Sequence, residues 1–529
     1  MGRGIVAAAL ALVALSATVG AGGCFAAPPE KPSSSIDPKN LPRVGTIDER
    51  FQSYNIEMVE VTGGRFWKPY DSAAKAEPDS ANQPASMSAS LYEYRPPIDL
   101  SSSRLRKLAS GLSPAYVRVS GTWANTTWFQ NSDDPAPEAP PTGFKGVLTR
   151  KQWKGVVDFS NAVGAEIVTS FAVGEGTRDA KGVWTPEQAR ALLDFTRSAG
   201  GRIAAAEYMN EPTFALIGGA PKGYDAAAYA RDFAVFRPFM KEASPSTLIL
   251  GPGGVGEGSA LMPSSMSTIK SEDILIATGP VFDAFSYHTY GAASSRCGRP
   301  GMPGNTTADA ALSEDWLQRG AKNEEFYAEI RDRFDPGKPM WLTETAQSAC
   351  GGDRWAATFL DSFRYLNQLG ALARRGVQVH MHNTLAASDY GLLDEKTYEP
   401  RPNYWAAVLW HKLMGTVVLD PGPSPSASLH LYSQCMPKHS GGVTLLVINA
   451  DRDHAQSLEI ATTSERYTLT ARDLTSKTVL LNGSELKLGG NDSLPSLSGV
   501  DTKPGSVSFA PASITFLAVP KANNASCRP

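Results

Sequence analysis

The chain has 529 residues, of which 42% are hydrophobic and 19% charged, and 50 Lys and Arg stand against 53 Asp and Glu for a formal charge of −3. That length excludes a single small domain and is enough to bury a large core without covalent staples. The near balance of charge, with no basic stripe, argues against nucleic acid as a partner and supplies no field toward an anionic membrane.

Residues 1–24 read as a secretory signal: Arg3 precedes the apolar run IVAAALALVALSATVG, and small residues follow up to AGGCFAA. Cys24, behind Ala-Gly-Gly, is a candidate lipid-bearing residue that would anchor a bacterial lipoprotein to a membrane. Against this, the residue three before it is Ala21 rather than the usual Leu, and cleavage near Ala26 or Ala27 is the alternative. The protein is expected to be secreted, periplasmic or anchored on the extracytoplasmic side. Residues 25–44 (APPEKPSSSIDPKNLP at their core) show no apolar pattern and read as a Pro/Ser linker.

Between 45 and 410, eight strand-like runs alternate with longer amphipathic stretches. They are FQSYNIEMV, AYVRVSG, EIVTSFAVG, IAAAEYMN, TLILGPG, FDAFSYHTYG, PMWLTETA and VQVHMHNTL. Helical patterns such as TPEQARALLDFTRSAG and AAAYARDFAVFRPFMKEA separate them. Eight buried strands with intervening helices predict an α/β fold, the (β/α)8 TIM barrel, whose active site lies at the C-terminal strand ends. The Pro-, Ser- and Asp-rich stretches at 68–100 and 128–148 are expected to be loops. From 411 to 529 the pattern changes to short alternating strands between turns, which predicts an antiparallel β-sandwich.

Five cysteines are present. Setting Cys24 aside leaves Cys297, Cys350, Cys435 and Cys527, for which three pairings are possible in an oxidising compartment. Cys435 with Cys527 would tie down the C-terminal segment, and Cys297 with Cys350 then forms the second candidate bridge. No Cys/His spacing suggests zinc.

The fourth strand-like run stops at Asn210-Glu211-Pro212, and the proline biases Glu211 away from helix, so Glu211 is expected extended at a strand end and facing a cleft. Glu344 occupies the corresponding end of the seventh. Two carboxylates from opposite sides of one barrel mouth are the minimum equipment of a glycosidase, one protonating the leaving oxygen and the other attacking the anomeric carbon.

Glu211 behind Asn210 on strand four, with Glu344 on strand seven, resembles the retaining glycosidases of clan A. Within that clan the chain resembles the heparanase and β-glucuronidase family, glycoside hydrolase family 79. RKLASGLSPAYVRVSGT, SYHTY, WLTETAQSACGG, SDYGLLDEKTYEPRPNYW and LMGTVVL carry the likeness through the barrel, and LHLYSQC, VLLNGSELKL and ASITFLAV carry it to the C-terminus. The resemblance implies that Glu211 is the acid/base and Glu344 the nucleophile of a retaining, cofactor-free β-glucuronidase acting on glucuronic-acid-containing oligo- or polysaccharides. It further implies that Asn210 binds the sugar 2-hydroxyl, Tyr290 touches the nucleophile, and Glu57 binds sugar hydroxyls. Ser388, Asp389 and Tyr390 would form the loop that grips the uronate carboxylate, and His382 would line the sugar pocket. The C-terminal sandwich would pack on the barrel.

Two departures from the family pattern bear on substrate. Asp389 stands where the family often has Asn, which places a second negative charge near the substrate carboxylate unless it points away. The insertion WFQNSDDPAPEAPPTG is acidic where heparan-cleaving members carry lysines, which argues against heparan sulfate. A neutral-sugar glycosidase of the same clan and a catalytically silent polysaccharide binder are the alternatives.

Other signals are weaker. GPGGVG at 251–256, with Glu272 beyond it, has the outline of a dinucleotide fingerprint. His380 and His382 share one side of a strand but lack an evident third ligand, so no metal is expected. Trp123, Trp128, Trp341 and Trp405 are expected to be mostly core, with one or two stacking on sugar. Sequons stand at Asn125, Asn305, Asn482 and Asn524.

Overall fold

A computed structural model describes residues 35–71, 89–215, 217–259, 269–297 and 305–528, so the signal segment and Cys24 lie outside the described residues. The eight apolar runs form eight strands: β1 (Gln52–Glu57), β2 (Ala115–Ser120), β3 (Ala165–Ser170), β4 (Ile203–Glu207), β5 (Leu248–Val255), β6 (Ala284–Tyr290), β7 (Met340–Ala346) and β8 (Val379–His382). All pair in parallel and close into a barrel, each strand next to its sequence neighbours and β8 beside β1. This is the (β/α)8 barrel that the alternation predicts.

Local chemistry sets the helices. Arg150–Val163, which follows β2, starts at a capping box in which the Thr149 hydroxyl accepts from Gln152 N–H and the Gln152 side-chain Oε1 accepts from Thr149 N–H. It stops at Gly164 in the left-handed conformation. Ala226–Ala243 begins where the Asp225 carboxylate accepts from Ala228 N–H.

Inside the barrel, Tyr116, Val168, Ala204, Ala205, Leu250, Ala284, Trp341, Val379 and Met381 form one apolar plug, with the Tyr116 and Trp341 rings 5.0 Å apart. Polar side chains occupy the layer nearer the C-terminal strand ends, which confines the chemistry to that mouth. Trp341 in this plug, and the buried Trp123 and Trp405, are core as expected, while Trp128 is half-buried. At the opposite end, a cavity of about 680 Å³ is lined by Phe51, Trp410, Lys412, Lys438 and Tyr467, with Asp48, Glu49 and Glu465 also in its wall.

The C-terminal strands build two sheets over a second apolar core that includes Leu431, Leu445, Val447, Leu458, Phe509 and Leu517. Pairing is antiparallel except at one edge, where Ser35–Ile36 runs parallel to Gln456–Ile460. The larger sheet continues the barrel's own core: the Tyr432 hydroxyl donates to Asn367 Oδ1 at 2.7 Å and the Thr444 hydroxyl to the Leu413 carbonyl at 2.7 Å.

The stretch expected to be a linker at 25–44 differs from that reading over its described part. Ser35–Ile36 and Arg43–Thr46 add edge strands to the two C-terminal sheets, and Ile36 and Leu41 are buried there. Two isolated apolar residues give no periodicity, so only the ladder and the receiving core reveal these strands. Both disulfides form, Cys297–Cys350 and Cys435–Cys527. Among the described residues no helix is long and apolar enough to cross a membrane.

Candidate active site

Alternation along the strands sends every second residue into the barrel, and a register slip on β7 extends the set. On β6 the inward series is Ala284, Ser286, His288 and Tyr290. On β7 the register slips, so that Tyr287 pairs with Leu342 while His288 pairs with Glu344. Such a bulge lets the consecutive residues Thr343 and Glu344 both reach the interior.

Arg118 on β2, 1% exposed, is the hub. Its Nη1 donates to Glu344 Oε2 at 2.9 Å, and its Nε and Nη2 donate to Glu207 Oε2 at 3.1 and 2.8 Å. Nη2 also donates to Asn210 Oδ1 at 2.8 Å and lies 3.2 Å from His288 Nε2. A guanidinium has no acceptor, so His288 Nε2 accepts and Nδ1 carries the ring proton. That N–H donates to Glu211 Oε1 at 3.0 Å. Burial, with Arg118 opposing a charge on the ring, pushes His288 down to about 4 and keeps it neutral.

Glu344 is held at both oxygens, since the Tyr290 hydroxyl donates to Oε1 at 2.6 Å. Glu207 accepts from the Ser286 and Thr343 hydroxyls, each at 2.9 Å. Burial works to raise Glu207, but the charge of Arg118 and the hydrogen bonds from Arg118 and Thr343 oppose it and hold it below the ordinary carboxylate value. Glu211 meets the reverse balance: burial, aided by Glu207 and opposed by Arg118, pushes it up to about 7. A carboxylate atom of Glu211, one of Glu344 and a ring nitrogen of His288 lie within 4.8 Å of one another.

The Glu211 backbone is not extended as expected but left-handed, with φ 47° and ψ 66°. Proline still disfavours the right-handed region, and the left-handed backbone, at a cost of about 1–3 kcal/mol, accompanies the Glu211 contact with His288. Asn125 braces the turn, its Nδ2 donating to the Asn210 carbonyl and its Oδ1 accepting from Asn210 N–H, each at 2.9 Å. Its side chain is thus buried and engaged rather than a displayed sequon.

Glu57, at the end of β1, accepts from Asn383 Nδ2 at 3.1 Å, and burial with Glu344 nearby pushes it well above the ordinary carboxylate range. Gly121 makes room for it: a Cβ there, at a φ of +92°, would fall 1.5 Å from Glu57 Oε2. Asn383 Nδ2 also lies 3.1 Å from the Tyr290 hydroxyl and 3.3 Å from that of Tyr390, so it joins Glu57, Tyr290 and Tyr390 around one space.

Ser388, Asp389 and Tyr390 form a loop beside this space. Arg401 Nη1 donates to the carbonyls of Ser388, Asp389 and Gly391 at 2.5, 3.0 and 3.2 Å. The Asp389 carboxylate does point away, accepting from Tyr70 N–H and from Arg296 Nη2, both at 3.0 Å. His382 departs from its expected place in the pocket wall. It is fully buried, its Nε2 donating to the Tyr390 carbonyl at 2.7 Å and its ring edge-on to Tyr365, so it supports the loop from beneath.

Sequence reasoning missed Arg118, Glu207, Asn125, Asn383 and Arg296. An arginine standing fourth in the apolar run Ala115–Ser120 was the one visible signal among them. It also missed Trp67, a half-buried ring stacked on Tyr92 at 4.5 Å, and placed no role on it.

Glu211, His288 and Glu344 are close enough to share a metal ion, but the guanidinium bound to Glu344 opposes a second cation there. His380 and His382 do not combine with an acid into such a group among the described residues. GPGGVG forms the end of β5 rather than a turn into a helix, and a Cβ on Gly251 would fall 2.1 Å from the Phe282 ring. Its glycines therefore answer to packing, and the dinucleotide reading fails.

Replacing Arg118 by Met strips two buried carboxylates of their counter-ion. The expected destabilisation is about 3–5 kcal/mol, seen as a lower urea midpoint, with part recovered by adding Glu207→Gln. An unchanged midpoint in Arg118→Met would refute the hub role.

The family described as Glycosyl hydrolase family 79, N-terminal domain, matches residues 97–370. Heparanase-like protein 1 of Arabidopsis thaliana is 25% identical over 491 residues, covering 81% of this chain and 86% of that protein. Hyaluronoglucuronidase of Hirudo nipponia is 27% identical over 484 residues, covering 82% of this chain and 92% of that protein. Among solved structures, a 4-O-α-L-rhamnosyl-β-D-glucuronidase from Fusarium oxysporum 12S superposes with a TM-score of 0.59 at 13% identity, over 92% of this chain and 99% of that one. The last likeness is one of fold alone.

Proposed function

The chain belongs to glycosyl hydrolase family 79, and on that premise we propose that it is a retaining β-glucuronidase acting by double displacement on glucuronic-acid-containing oligo- or polysaccharides. The observation that carries the reading is the Glu211–Glu344 pair. Its closest oxygens lie within 4.8 Å, nearer the separation of about 5–5.5 Å used by retaining enzymes than the roughly 6.5–9.5 Å that admits a water between the carboxyls.

Glu344 attacks the anomeric carbon while Glu211 passes its proton to the departing oxygen. Raised to about 7, Glu211 carries that proton in about half of the molecules at neutral pH and in most below it. Once the leaving group has gone, Glu211 takes a proton from water, which then displaces the sugar from Glu344. Asn210 turns its Oδ1 to Arg118, which directs its Nδ2 donor toward the sugar 2-hydroxyl. Glu57 binds further hydroxyls. The Tyr390 hydroxyl and backbone N–H, at the end of the Ser388–Tyr390 loop, hold the uronate carboxylate; the loop's carbonyls are drawn toward Arg401, while the Ser388 and Asp389 N–H groups are held by Glu395 and the Gly351 carbonyl.

The two relatives whose names specify heparanase-like and hyaluronoglucuronidase proteins support uronate over a neutral sugar. The signal-like segment at 1–24 and two disulfides support an extracytoplasmic location.

The test is hydrolysis of 4-nitrophenyl β-D-glucuronide beside the β-D-glucoside, followed by proton NMR within the first minutes. Turnover of the glucuronide with initial release of the β-anomer is expected. Initial α-anomer would overturn the double displacement, and preference for the glucoside would overturn the uronate assignment.

A further inference from the structure

Asp389 places a carboxylate, 6% exposed, within the loop assigned to the substrate's own carboxylate. Left ionised and unpaired there, it would repel the sugar; at about 5–6 Å two like charges in a partly buried site weaken binding by about 100-fold. A device that cancels its charge is therefore required, and the surrounding loops supply one.

Arg296, in the loop after β6, donates through Nη2 to Asp389 Oδ2 at 3.0 Å. It is anchored on three other sides: Nη1 donates to the Lys68 carbonyl, Nη2 reaches the Gly352 carbonyl at 3.1 Å, and the guanidinium lies 4.0 Å over the Tyr70 ring. Tyr70 N–H adds a second donor to the same Asp389 oxygen at 3.0 Å. The neighbouring Cys297 is bonded to Cys350, and the next residue, Gly351, accepts from Asp389 N–H at 3.1 Å and from the Ser388 hydroxyl at 3.0 Å. Loops after β1 and β6 thus reach the Asp389 carboxylate, and the loop after β7 holds Arg296 and the Asp389 backbone. The charge of Arg296 also reaches the Tyr390 hydroxyl.

We propose that Arg296 is a positioning residue that sets uronate specificity, by neutralising Asp389 and turning it away so that the Ser388–Tyr390 loop meets the sugar carboxylate without a net negative charge. The inference rests on the uronate reading above. Arg296 directs its Nη donors to Asp389 and to the Lys68 and Gly352 carbonyls. Its effect is selective for a charged sugar, which a general structural role would not be.

The test compares wild type, R296Q, D389N and R296Q/D389N on 4-nitrophenyl β-D-glucuronide and β-D-glucoside, with KM and kcat measured separately. R296Q is expected to raise KM for the glucuronide by about 100-fold while glucoside kinetics change by less than about 3-fold. The double variant is expected to return the glucuronide KM to within about 5-fold of wild type, because an amide at 389 needs no counter-ion. D389N alone keeps an acceptor for Tyr70 and Arg296 and is expected to lower that KM about 3- to 10-fold, which tests the idea even if R296Q fails to fold. Equal losses on both sugars, no rescue in the double variant, or a D389N enzyme with unchanged or weaker glucuronide binding would each overturn the proposal. A wild type that prefers the glucoside would instead overturn the uronate reading.

Discussion

Glu344→Gln is expected to lower kcat by about 10⁴-fold or more with the fold intact, the scale on which loss of a covalent nucleophile acts. The amide keeps the shape of the carboxylate and can still accept from Tyr290 or Arg118, but it cannot form the glycosyl ester. Smaller variants identify its face of the sugar. In Glu344→Ala, azide enters from the vacated side and displaces the leaving group once, so the rescued product is the inverted α-glycosyl azide. Steady-state turnover and NMR of that product are the measurements. More than about 1% residual activity in Glu344→Gln, or a β-azide from Glu344→Ala, would remove Glu344 from the nucleophile's role.

Loss of the acid acts differently. Glu211→Gln is expected to reduce kcat/KM for a glucuronide with an alcohol leaving group by about 10²–10⁴-fold, and far less for 4-nitrophenol, which departs without a proton. In Glu211→Ala both displacements still run through Glu344, so azide yields the retained β-product. The pH profile gives an independent check. Burial raises Glu211 to about 7, so its proton is present below that pH and lost above it. The kcat/KM of the wild type should then fall about tenfold per unit above pH 7, and this basic limb should vanish in Glu211→Gln. A limb that persists unchanged in the variant would assign it to another group. Equal sensitivity to both leaving groups would argue against Glu211 as the proton donor.

The chain's periodicity determined much of this protein on its own. Eight apolar runs, each too uniformly buried for a one-sided sheet and each separated by a helical pattern, admit few arrangements other than a closed parallel barrel. Once the strands are placed, Glu211 and Glu344 fall at strand ends on one mouth, because strand direction is shared by all eight. The cysteine pairing, by contrast, stayed open at three possibilities until the structure joined Cys297 to Cys350 and Cys435 to Cys527.

Other features were beyond the reach of one-dimensional pattern. Residues 35–46 look like a linker because two buried side chains carry no period, and their strands exist only where another sheet offers an edge. The bulge that turns Thr343 and Glu344 inward together violates the alternation by which strands are read. His382 misses the pocket because Val379 and Met381 take the inward positions of β8, which leaves His380 and His382 on the strand's outer face against the Tyr365 ring. The charge of Asp389, read along the chain, argues against uronate. In space its meaning reverses, since Arg296 stands 93 residues away in sequence and 3.0 Å away in fact. Sequence determined which strands form and which carboxylates share a mouth, because hydrophobic burial is periodic along the chain. Only the tertiary structure decided which charges meet, because Coulomb energies depend on distance through space and on the water excluded between partners.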